Sequence, residues 1–259
     1  VYHLAARVGD WGPEDEYWTV NVEGTGNVLA AAATAGCRRV VVVSSIAVYG
    51  RKLNSMRCAE DVEHDEGLSA YGRSKGACEE LAFEAQQKGD VEVVIVRPGN
   101  VFGPGPTPWV DEMARLVRKG QVPLIDGGYG DAALAYVDNV VDVLIAAGTA
   151  AEAAGRIYNV VDGHGVTWRR YISDLADIIG VKPPRLSVPR PVAWTAARAL
   201  ESFARFRKSS ERPLLTREAV TLLSCREPIP IARAVMELGY APRPYEDALR
   251  EVARYLSDG

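Results

Sequence analysis

Short runs of β-branched and other apolar residues alternate with segments of helical periodicity over the first 160 positions of the chain. This alternation is typical of a parallel sheet whose strands are joined by crossover helices. The stretch at 91–96, Val-Glu-Val-Val-Ile-Val, is almost continuously apolar, as in a strand that is covered on both faces. Strands are predicted at Val1–Leu4, Arg39–Ser44, Glu92–Arg97 and Arg156–Val160, and helices at Tyr17–Ala35, Ala70–Lys88 and Val137–Ala147. The sequence therefore predicts an α/β fold built on a doubly wound parallel sheet.

The pattern changes after Phe102, where residues 103–108 read Gly-Pro-Gly-Pro-Thr-Pro. Such a stretch predicts a loop. From Thr167 onward, helical segments and proline-rich joints dominate, which indicates a smaller and mostly helical second lobe. We therefore predict a sheet domain of residues 1–100 with 137–160, and a second lobe of residues 101–136 with 161–259.

The composition is that of an ordinary globular protein: 259 residues, of which 47% are hydrophobic and 25% charged. The net charge of −4 gives no reason to expect a nucleic-acid partner. We expect reduced thiols and no metal site, because only three histidines are present and no CxxC spacing occurs among Cys37, Cys58, Cys78 and Cys225. No apolar run approaches the ~18 residues of a membrane span, so we expect a cytoplasmic protein.

Tyr71 and Lys75 are four residues apart in a predicted helix, which places both on one face. A free phenol titrates near pH ~10. A nearby ammonium group stabilises the phenolate, so this pair predicts an acid/base phenol that works near neutral pH. An exposed helical pair is the structural alternative.

Further candidate functional residues lie at the ends of two predicted strands. Ser44 and Ser45 follow a run of four valines, at the end where a parallel sheet presents catalytic groups. Residues 97–103, Arg-Pro-Gly-Asn-Val-Phe-Gly, end the next strand, and we expect Pro98 and Gly99 to break it and expose backbone groups to a ligand. A helix cap and an ordinary turn are the structural alternatives for these two segments.

The order and spacing of these pieces resemble the extended short-chain dehydrogenases/reductases. The resemblance covers positions 1–140 in family order. Its six matching segments are Val1–Ala6, Asn21–Thr25, Ser44–Gly50, Tyr71–Lys75, Arg97–Gly103 and Tyr136–Val140. It implies a Rossmann-type sheet, an NAD or NADP cofactor and a small-molecule substrate.

The resemblance also implies residue roles. Tyr71 would donate or accept the proton, Lys75 would lower its pKa and hold the nicotinamide ribose, and Ser45 would polarise the substrate carbonyl. Asn100 would face the substrate, and Asn21 would lie in the helix behind the site, where a structural role is equally open. The implied cofactor-binding residues are Leu4, Ala5, Ala6, Ser44, Tyr71, Lys75, Pro98, Gly99 and Val101.

The family's glycine-rich phosphate loop does not occur in this sequence. Residues 24–26, Gly-Thr-Gly, have suitable spacing but lie within a predicted helix. Because the chain opens directly in a predicted core strand, we expect about two βα units, roughly 60 residues, to be missing upstream. This piece alone is therefore expected to bind the cofactor poorly, and the choice between NAD and NADP stays open.

Two branches of the family compete for the substrate. Nucleotide-sugar epimerases and dehydratases usually carry an arginine for the diphosphate where this chain has Ala132. Asn139 and the segments at 8–12 and 215–217 look more like the 3β-hydroxysteroid-dehydrogenase branch. We favour that branch and expect a bulky, apolar alcohol or ketone bound by Trp194, Leu200, Phe203 and Phe206. A catalytically silent cofactor-binding protein is the alternative outside the enzyme class.

Two partner surfaces are also expected. The resemblance implies a homodimer through the helices Tyr17–Ala35 and Ala70–Lys88, and small residues at 30–33 permit close approach. The segment 191–208 mixes Trp and Phe with Arg and Lys. It predicts either an interfacial helix for lipids or a packing helix with a solvated basic face, and the second is favoured from sequence.

Overall fold

A computed structural model describes residues 1–65, 69–105 and 108–258. Its centre is a parallel four-stranded sheet in the order β1-β2-β3-β7. Two further parallel pairs, β4 with β6 and β5 with β8, lie outside it. The strands are β1 (Tyr2–His3), β2 (Arg39–Val43), β3 (Glu92–Pro98), β4 (Asn100–Phe102), β5 (Leu124–Ile125), β6 (Leu134–Tyr136), β7 (Ile157–Val160) and β8 (Ser187–Val188). The predicted parallel α/β fold is confirmed.

The helices cover both faces of the sheet and build most of the second lobe. Short 3₁₀ turns occur at Asp126–Gly128 and Ala151–Ala153, and a longer 3₁₀ segment with a kink at Gly50 spans Ile46–Asn54. π-Helical turns lie at Trp18–Glu23 and Pro108–Glu112. The α-helices are α1 (Glu14–Tyr17), α2 (Gly24–Thr34), α3 (Ala70–Lys88), α4 (Met113–Arg118), α5 (Val137–Thr149), α6 (Trp168–Ile178), α7 (Arg190–Phe206), α8 (Arg217–Leu222), α9 (Ala232–Leu238) and α10 (Tyr245–Asp258).

The sheet is buried on both faces, as the apolar runs predicted. Val40 and Val42 of β2 pack with Leu29 and Ala82 on one side. On the other side, Val41 belongs to a second core cluster with α5. The C-terminal residues Ala234 and Tyr240, which the predicted division places in the second lobe, also pack in this second cluster.

The helix predicted at Tyr17–Ala35 is one helical path made of three pieces. It begins at Glu14 in α1, passes through the π-helical turn Trp18–Glu23 and ends in α2 at Thr34. Gly24 and Gly26 lie inside α2, so this pair of glycines is part of a helix and not a phosphate loop. π-Turns within helices are frequent at functional sites.

The predicted loop at 103–108 is found in part. Residues 103–105 lie in bends, whereas Pro106 and Thr107 lie outside the described residues. Pro108 already opens the π-helical turn that leads into α4. Proline suits such a first position, because the N–H it lacks would have no partner in the helix. No helix in the described parts of the chain is long and apolar enough to cross a membrane.

Candidate active site

The tip of β2 places two serines next to each other. Ser45 caps the 3₁₀ turn that follows, since its Oγ accepts a hydrogen bond from the Ala47 N–H at 3.2 Å. The Ser44 hydroxyl is buried and has no hydrogen-bond partner among the described residues. A buried polar atom without a partner is costly, so the Ser44 hydroxyl is suited to a polar group of a bound ligand.

Tyr71 lies in the first turn of α3, where the Ser69 hydroxyl caps the helix by accepting from the Gly72 N–H at 3.0 Å. The Tyr71 side chain is hydrogen-bonded to that of Ser45, which joins the helix to the tip of β2. Its ring packs edge-on against Tyr17, with the two centroids 6.5 Å apart. The structure thus brings the predicted acid/base phenol and the predicted carbonyl-polarising hydroxyl together.

The predicted lowering of the Tyr71 pKa is not found in this structure. Burial raises the pKa of Tyr71 to about 12, the hydrogen bond with Ser45 acts in the opposite direction, and the charge of Glu218 adds to the rise. Removal from water disfavours the charged phenolate more than the neighbouring groups stabilise it.

Lys75 is buried one turn further along α3. Its Nζ donates a hydrogen bond to the carbonyl oxygen of Val43, at the end of β2, over 2.8 Å. Burial lowers the pKa of Lys75, while the nearby Cys78 and Glu79 act to raise it. The ammonium group is therefore held at the strand tip by backbone, and its remaining N–H groups are suited to a ligand hydroxyl.

The tip of β3 differs from its prediction. Pro98 is still part of β3, and the break comes at Gly99, before β4 begins at Asn100. The Gly99 and Asn100 N–H groups are not offered to a ligand, because they donate to the carbonyls of Val160 and Ala133 at 2.9 and 2.8 Å. A Cβ at Gly99 would lie 2.1 Å from the Ala133 oxygen, so close packing requires glycine there.

The side chains at this tip are mostly committed to the protein. Asn100 is buried, and its Nδ2 donates to the Ala132 carbonyl at 2.8 Å, which fixes the amide that was predicted to face the substrate. Val101 is half-buried beside it.

The loop after β1 carries the predicted groove residues Leu4, Ala5 and Ala6, of which Leu4 is 55% exposed. Asn21 holds Arg7, the next residue of this loop, with two hydrogen bonds. The Asn21 amide oxygen accepts from the Arg7 N–H at 2.7 Å, and the amide nitrogen donates to the Arg7 carbonyl. Asn21 also donates to the Ser74 hydroxyl on α3 at 2.8 Å. Its role is structural: it ties the groove loop to the helix of Tyr71 and Lys75.

A buried ionic network beneath the site was not predicted. Arg97 at the end of β3 donates to both carboxylate oxygens of Glu79 at 2.8 and 2.6 Å, and both side chains are almost fully buried. Burial alone would raise the pKa of Glu79, but hydrogen bonds from Arg97 and His64 outweigh it and lower the pKa to about 2. Arg97 also donates to the Tyr49 hydroxyl at 2.8 Å. The network fixes α3 against β3.

Glu218 is a second residue that sequence reasoning missed. It lies in the first turn of α8 and lines the cleft beside Ser69 and Tyr17. Burial raises the pKa of Glu218 to about 7, against the effect of a hydrogen bond from Ser69, and the charge of Asp10 adds to the rise. The only sequence signal near Glu218 is Thr216, a residue type that caps helices, just before a run of apolar positions. This signal indicates the start of a helix but not that Glu218 reaches the cleft.

The cleft runs between the loop at 10–13, α3 and the second lobe. Ala70 and Gly72, on either side of Tyr71, line it, whereas Ser45, Tyr71 and Lys75 are not among its lining residues. Asp10 holds the two sides together, because it accepts two hydrogen bonds from Arg212 and one from Thr216. The apolar part of the lining comes from Trp11, Tyr17 and Trp18.

The apolar wall predicted on α7 is not part of this cleft. The face of α7 that lines the cleft carries Glu201 and Arg205. The predicted substrate-binding residues Trp194, Leu200, Phe203 and Phe206 do not line the cleft. The periodicity explains this, because Ala193, Ala197, Ala204 and Glu201 are the buried positions of α7, and Phe203 and Phe206 point the other way.

The cleft does not carry an excess of positive charge. Among the described residues, six acidic and five basic side chains line it. Arg217 and Arg205 both pair with Glu201, and Arg73 pairs with Glu14. Ala132, where the resemblance led us to expect a phosphate-binding arginine, is fully buried in an apolar cluster.

Residues 1–161 match the NAD dependent epimerase/dehydratase family. The chain is 27% identical over 260 residues to 3beta-hydroxysteroid-dehydrogenase/decarboxylase isoform 1 of Arabidopsis thaliana, covering 93% of this chain and 58% of the relative. It is 25% identical over 253 residues to a 2-alkyl-3-oxoalkanoate reductase of Shewanella oneidensis, covering 93% of this chain and 65% of the relative.

A nucleotide-sugar enzyme is also similar. An N-acetyl-alpha-D-glucosaminyl-diphospho-ditrans,octacis-undecaprenol 4-epimerase of Escherichia coli O157:H7 is 30% identical over 194 residues, covering 74% of this chain and 58% of the relative. Among solved structures, UDP-glucuronic acid 4-epimerase of Bacillus cereus in complex with UDP-glucuronic acid and NAD superimposes with a TM-score of 0.72 at 23% identity. That match covers 99% of this chain and 74% of the epimerase, and it supports the fold.

Proposed function

We propose that this chain, which belongs to the NAD dependent epimerase/dehydratase family, is an NAD(P)-dependent oxidoreductase that interconverts a bulky, mainly apolar secondary alcohol and its ketone. The observation that carries the proposal is the contact between Tyr71 and Ser45, with Lys75 one turn away. It joins a proton donor to a second hydroxyl at the point where parallel strands present ligands.

The residues present fit a nicotinamide cofactor. Ser44 offers a buried hydroxyl with no partner among the described residues, and Lys75 offers an ammonium group fixed by Val43. We assign these two groups to the cofactor side of the site, with the exposed residues of the loop after β1 as the wall of the groove. When bound, the nicotinamide supplies or takes up hydride.

The chain's own residues then handle the oxygen and its proton. Ser45 hydrogen-bonds the substrate oxygen and so fixes the reacting carbon. Tyr71, whose pKa is raised to about 12, is protonated at neutral pH. This form can donate a proton to the oxygen of a ketone as the alcohol forms. Oxidation needs the phenolate as the base, and we expect the ammonium group of Lys75 to stabilise it.

The proposed substrate class rests on the charge of the cleft and on the share of the chain that each relative covers. The steroid-type relative and the alkanoate reductase match 93% of the chain, which includes the second lobe, whereas the undecaprenol-linked epimerase matches 74%. A diphosphate brings negative charge that must be matched. The cleft lacks an excess of cations, and alanine replaces the expected arginine at 132.

Glu218 gives this cleft a specific polar contact. Because burial raises its pKa to about 7, the protonated carboxyl, which can donate a hydrogen bond, is accessible near neutral pH. We assign Glu218 to a polar substituent of the substrate, with the aromatic lining of Trp11 and Tyr17 against the apolar body.

A nucleotide-sugar epimerase or dehydratase of the same family is the second candidate, favoured by the 30% identity to the undecaprenol-linked epimerase. The two candidates differ in cofactor balance, because an epimerase regenerates its cofactor within each cycle. The protein is therefore assayed with hydroxysteroids, β-hydroxy acids and UDP- or dTDP-sugars while the absorbance of the reduced cofactor is followed. We expect a net change with a member of the apolar panel. Turnover of a nucleotide sugar without net change, and none with the apolar panel, would establish the second candidate.

A further inference from the structure

Helix α7 carries an apolar stripe that faces away from the protein. Its residues recur at spacings of three and four, which places them on one side of the helix. We call this stripe the interfacial face; its residues are Val192, Ala196, Ala199, Phe203 and Phe206.

The interfacial face is open to solvent along its whole length. Phe206 is 86% exposed, and Val192 and Phe203 are each 57% exposed. Leu200, at its margin on α7, is exposed as well. A helix that only packed against the second lobe would turn these side chains inward, so the packing interpretation favoured from sequence does not account for this face.

The helix that carries the interfacial face is rich in cations. Residues 190–208 contain five basic side chains and one acidic one, a local charge of +4 in a chain whose net charge is −4. The single acid, Glu201, is buried and pairs with Arg217 and Arg205, so Arg198, Arg207 and Lys208 carry the exposed charge beside this face. The basic residues are Arg190, Arg198, Arg205, Arg207 and Lys208.

An exposed apolar face next to basic side chains favours one kind of binding partner, an anionic membrane surface. Large apolar side chains ringed by Arg and Lys are the pattern of a helix that lies in the plane of a bilayer surface, and anionic headgroups complement the local charge. A second copy of the chain fits less well, because a two-fold contact would bring +4 against +4. We propose that the interfacial face of α7 docks on the surface of an anionic lipid bilayer.

The same helix links this surface to the cleft. Arg205 and Lys208 line the cleft, and Phe203 and Phe206 lie on the adjoining side of α7. A bilayer bound at the interfacial face would therefore sit beside the cleft entrance. This fits an apolar substrate taken from the lipid phase, but docking itself does not depend on the proposed function.

The test is co-sedimentation of the protein with vesicles of phosphatidylcholine alone and with vesicles that also contain phosphatidylglycerol. We expect binding to the anionic vesicles that weakens as salt is added, and little binding to phosphatidylcholine alone. The double variant Phe203→Ser/Phe206→Ser should reduce the partition coefficient at least about tenfold. Arg207→Gln/Lys208→Gln should also reduce it, by a factor that shrinks at high salt.

Met236→Ser is the matched control, because Met236 on α9 is 77% exposed and lies outside this face. It should bind like the native protein. Circular dichroism checks that each variant is folded, which we expect because the altered side chains point into solvent. The proposal is overturned if the native protein does not sediment with anionic vesicles, or if Phe203→Ser/Phe206→Ser binds as well as the native protein. It is also overturned if this face holds two copies together, which would appear as a lipid-free dimer that the double variant separates.

Discussion

Lys75 donates a hydrogen bond from Nζ to the carbonyl oxygen of Val43 over 2.8 Å. The bond joins α3 to the tip of β2, and it is the reason that a buried lysine keeps a fixed position next to Ser44 and Ser45. A buried amine without such an acceptor would be destabilised. The contact therefore holds one end of the proposed site in place.

Lys75→Met keeps the length of the side chain but removes this bond and the charge. We expect weaker cofactor binding and turnover reduced roughly tenfold or more, since the reacting groups lose their alignment. Titration of cofactor fluorescence and the initial rate measure the two effects. Lys52→Met is the control, because the Lys52 Nζ also donates to a backbone carbonyl, that of Glu63 at 2.8 Å, at an exposed site. Equal cofactor affinity in Lys75→Met and the native protein would count against the assignment.

Glu79→Gln tests the ionic network beneath the site. The variant leaves the Arg97 guanidinium buried without its carboxylate, and we expect the free energy of unfolding to fall by about 3–5 kcal/mol. Glu84→Gln, on the same helix, removes an exposed pair with Lys88 at 3.6 Å and should cost at most about 1 kcal/mol. Urea unfolding of both variants gives the comparison, and similar losses would show that burial of the network contributes little.

The raised pKa of Glu218 predicts that the free energy of unfolding depends on pH. Its pKa is raised from 4.5 to about 7 on folding, so between these values the native state holds a proton that the unfolded chain has lost. Stability from this group is therefore present at low pH and falls as the pH rises towards about 7. Relative to Glu218→Gln, the native protein should lose roughly 1–3 kcal/mol across that window. Parallel curves for the two proteins in urea unfolding at several pH values would refute the raised pKa.

A homodimer through the helices α2 and α3 stays a proposal. Val20, in the π-helical turn that leads into α2, is 48% exposed and suits a contact between copies. Sedimentation should give a dimer at micromolar concentration, and Val20→Glu should shift it towards monomer. Met236→Glu, which changes an exposed residue elsewhere, should leave the dimer intact. A native protein that sediments as a monomer would contradict the proposal.

The sequence predicted some elements to the residue because their ends carry local signals. Helix α3 was predicted as Ala70–Lys88, and it has those bounds: Ser69 caps its start, and Gly89 ends it with a φ of 75°. The two-residue strands β5 and β8 carry no such signal, because the surrounding packing decides whether so short a segment pairs.

In the candidate site, too, some residues could be predicted from the sequence and others could not. Tyr71, Lys75 and Ser45 were found because they lie on neighbouring elements with a fixed spacing. Glu218 comes from a helix almost 150 positions later than Tyr71, and only the tertiary fold brings it to the cleft. The apolar residues of α7 lie outside the cleft, which composition could not predict because it does not tell which face of a helix is buried.

The central claim is that Tyr71 transfers the proton while a carbonyl is reduced or a carbinol oxidised. Its most direct test compares Tyr71→Phe with Tyr129→Phe, a control that removes the hydroxyl of a tyrosine that is 72% exposed. The measurement is the rate at which reduced-cofactor absorbance changes with the best apolar substrate. The account predicts a fall of ~10²–10⁴-fold for Tyr71→Phe, with cofactor binding kept, and a native rate for Tyr129→Phe. A native rate in Tyr71→Phe would contradict it.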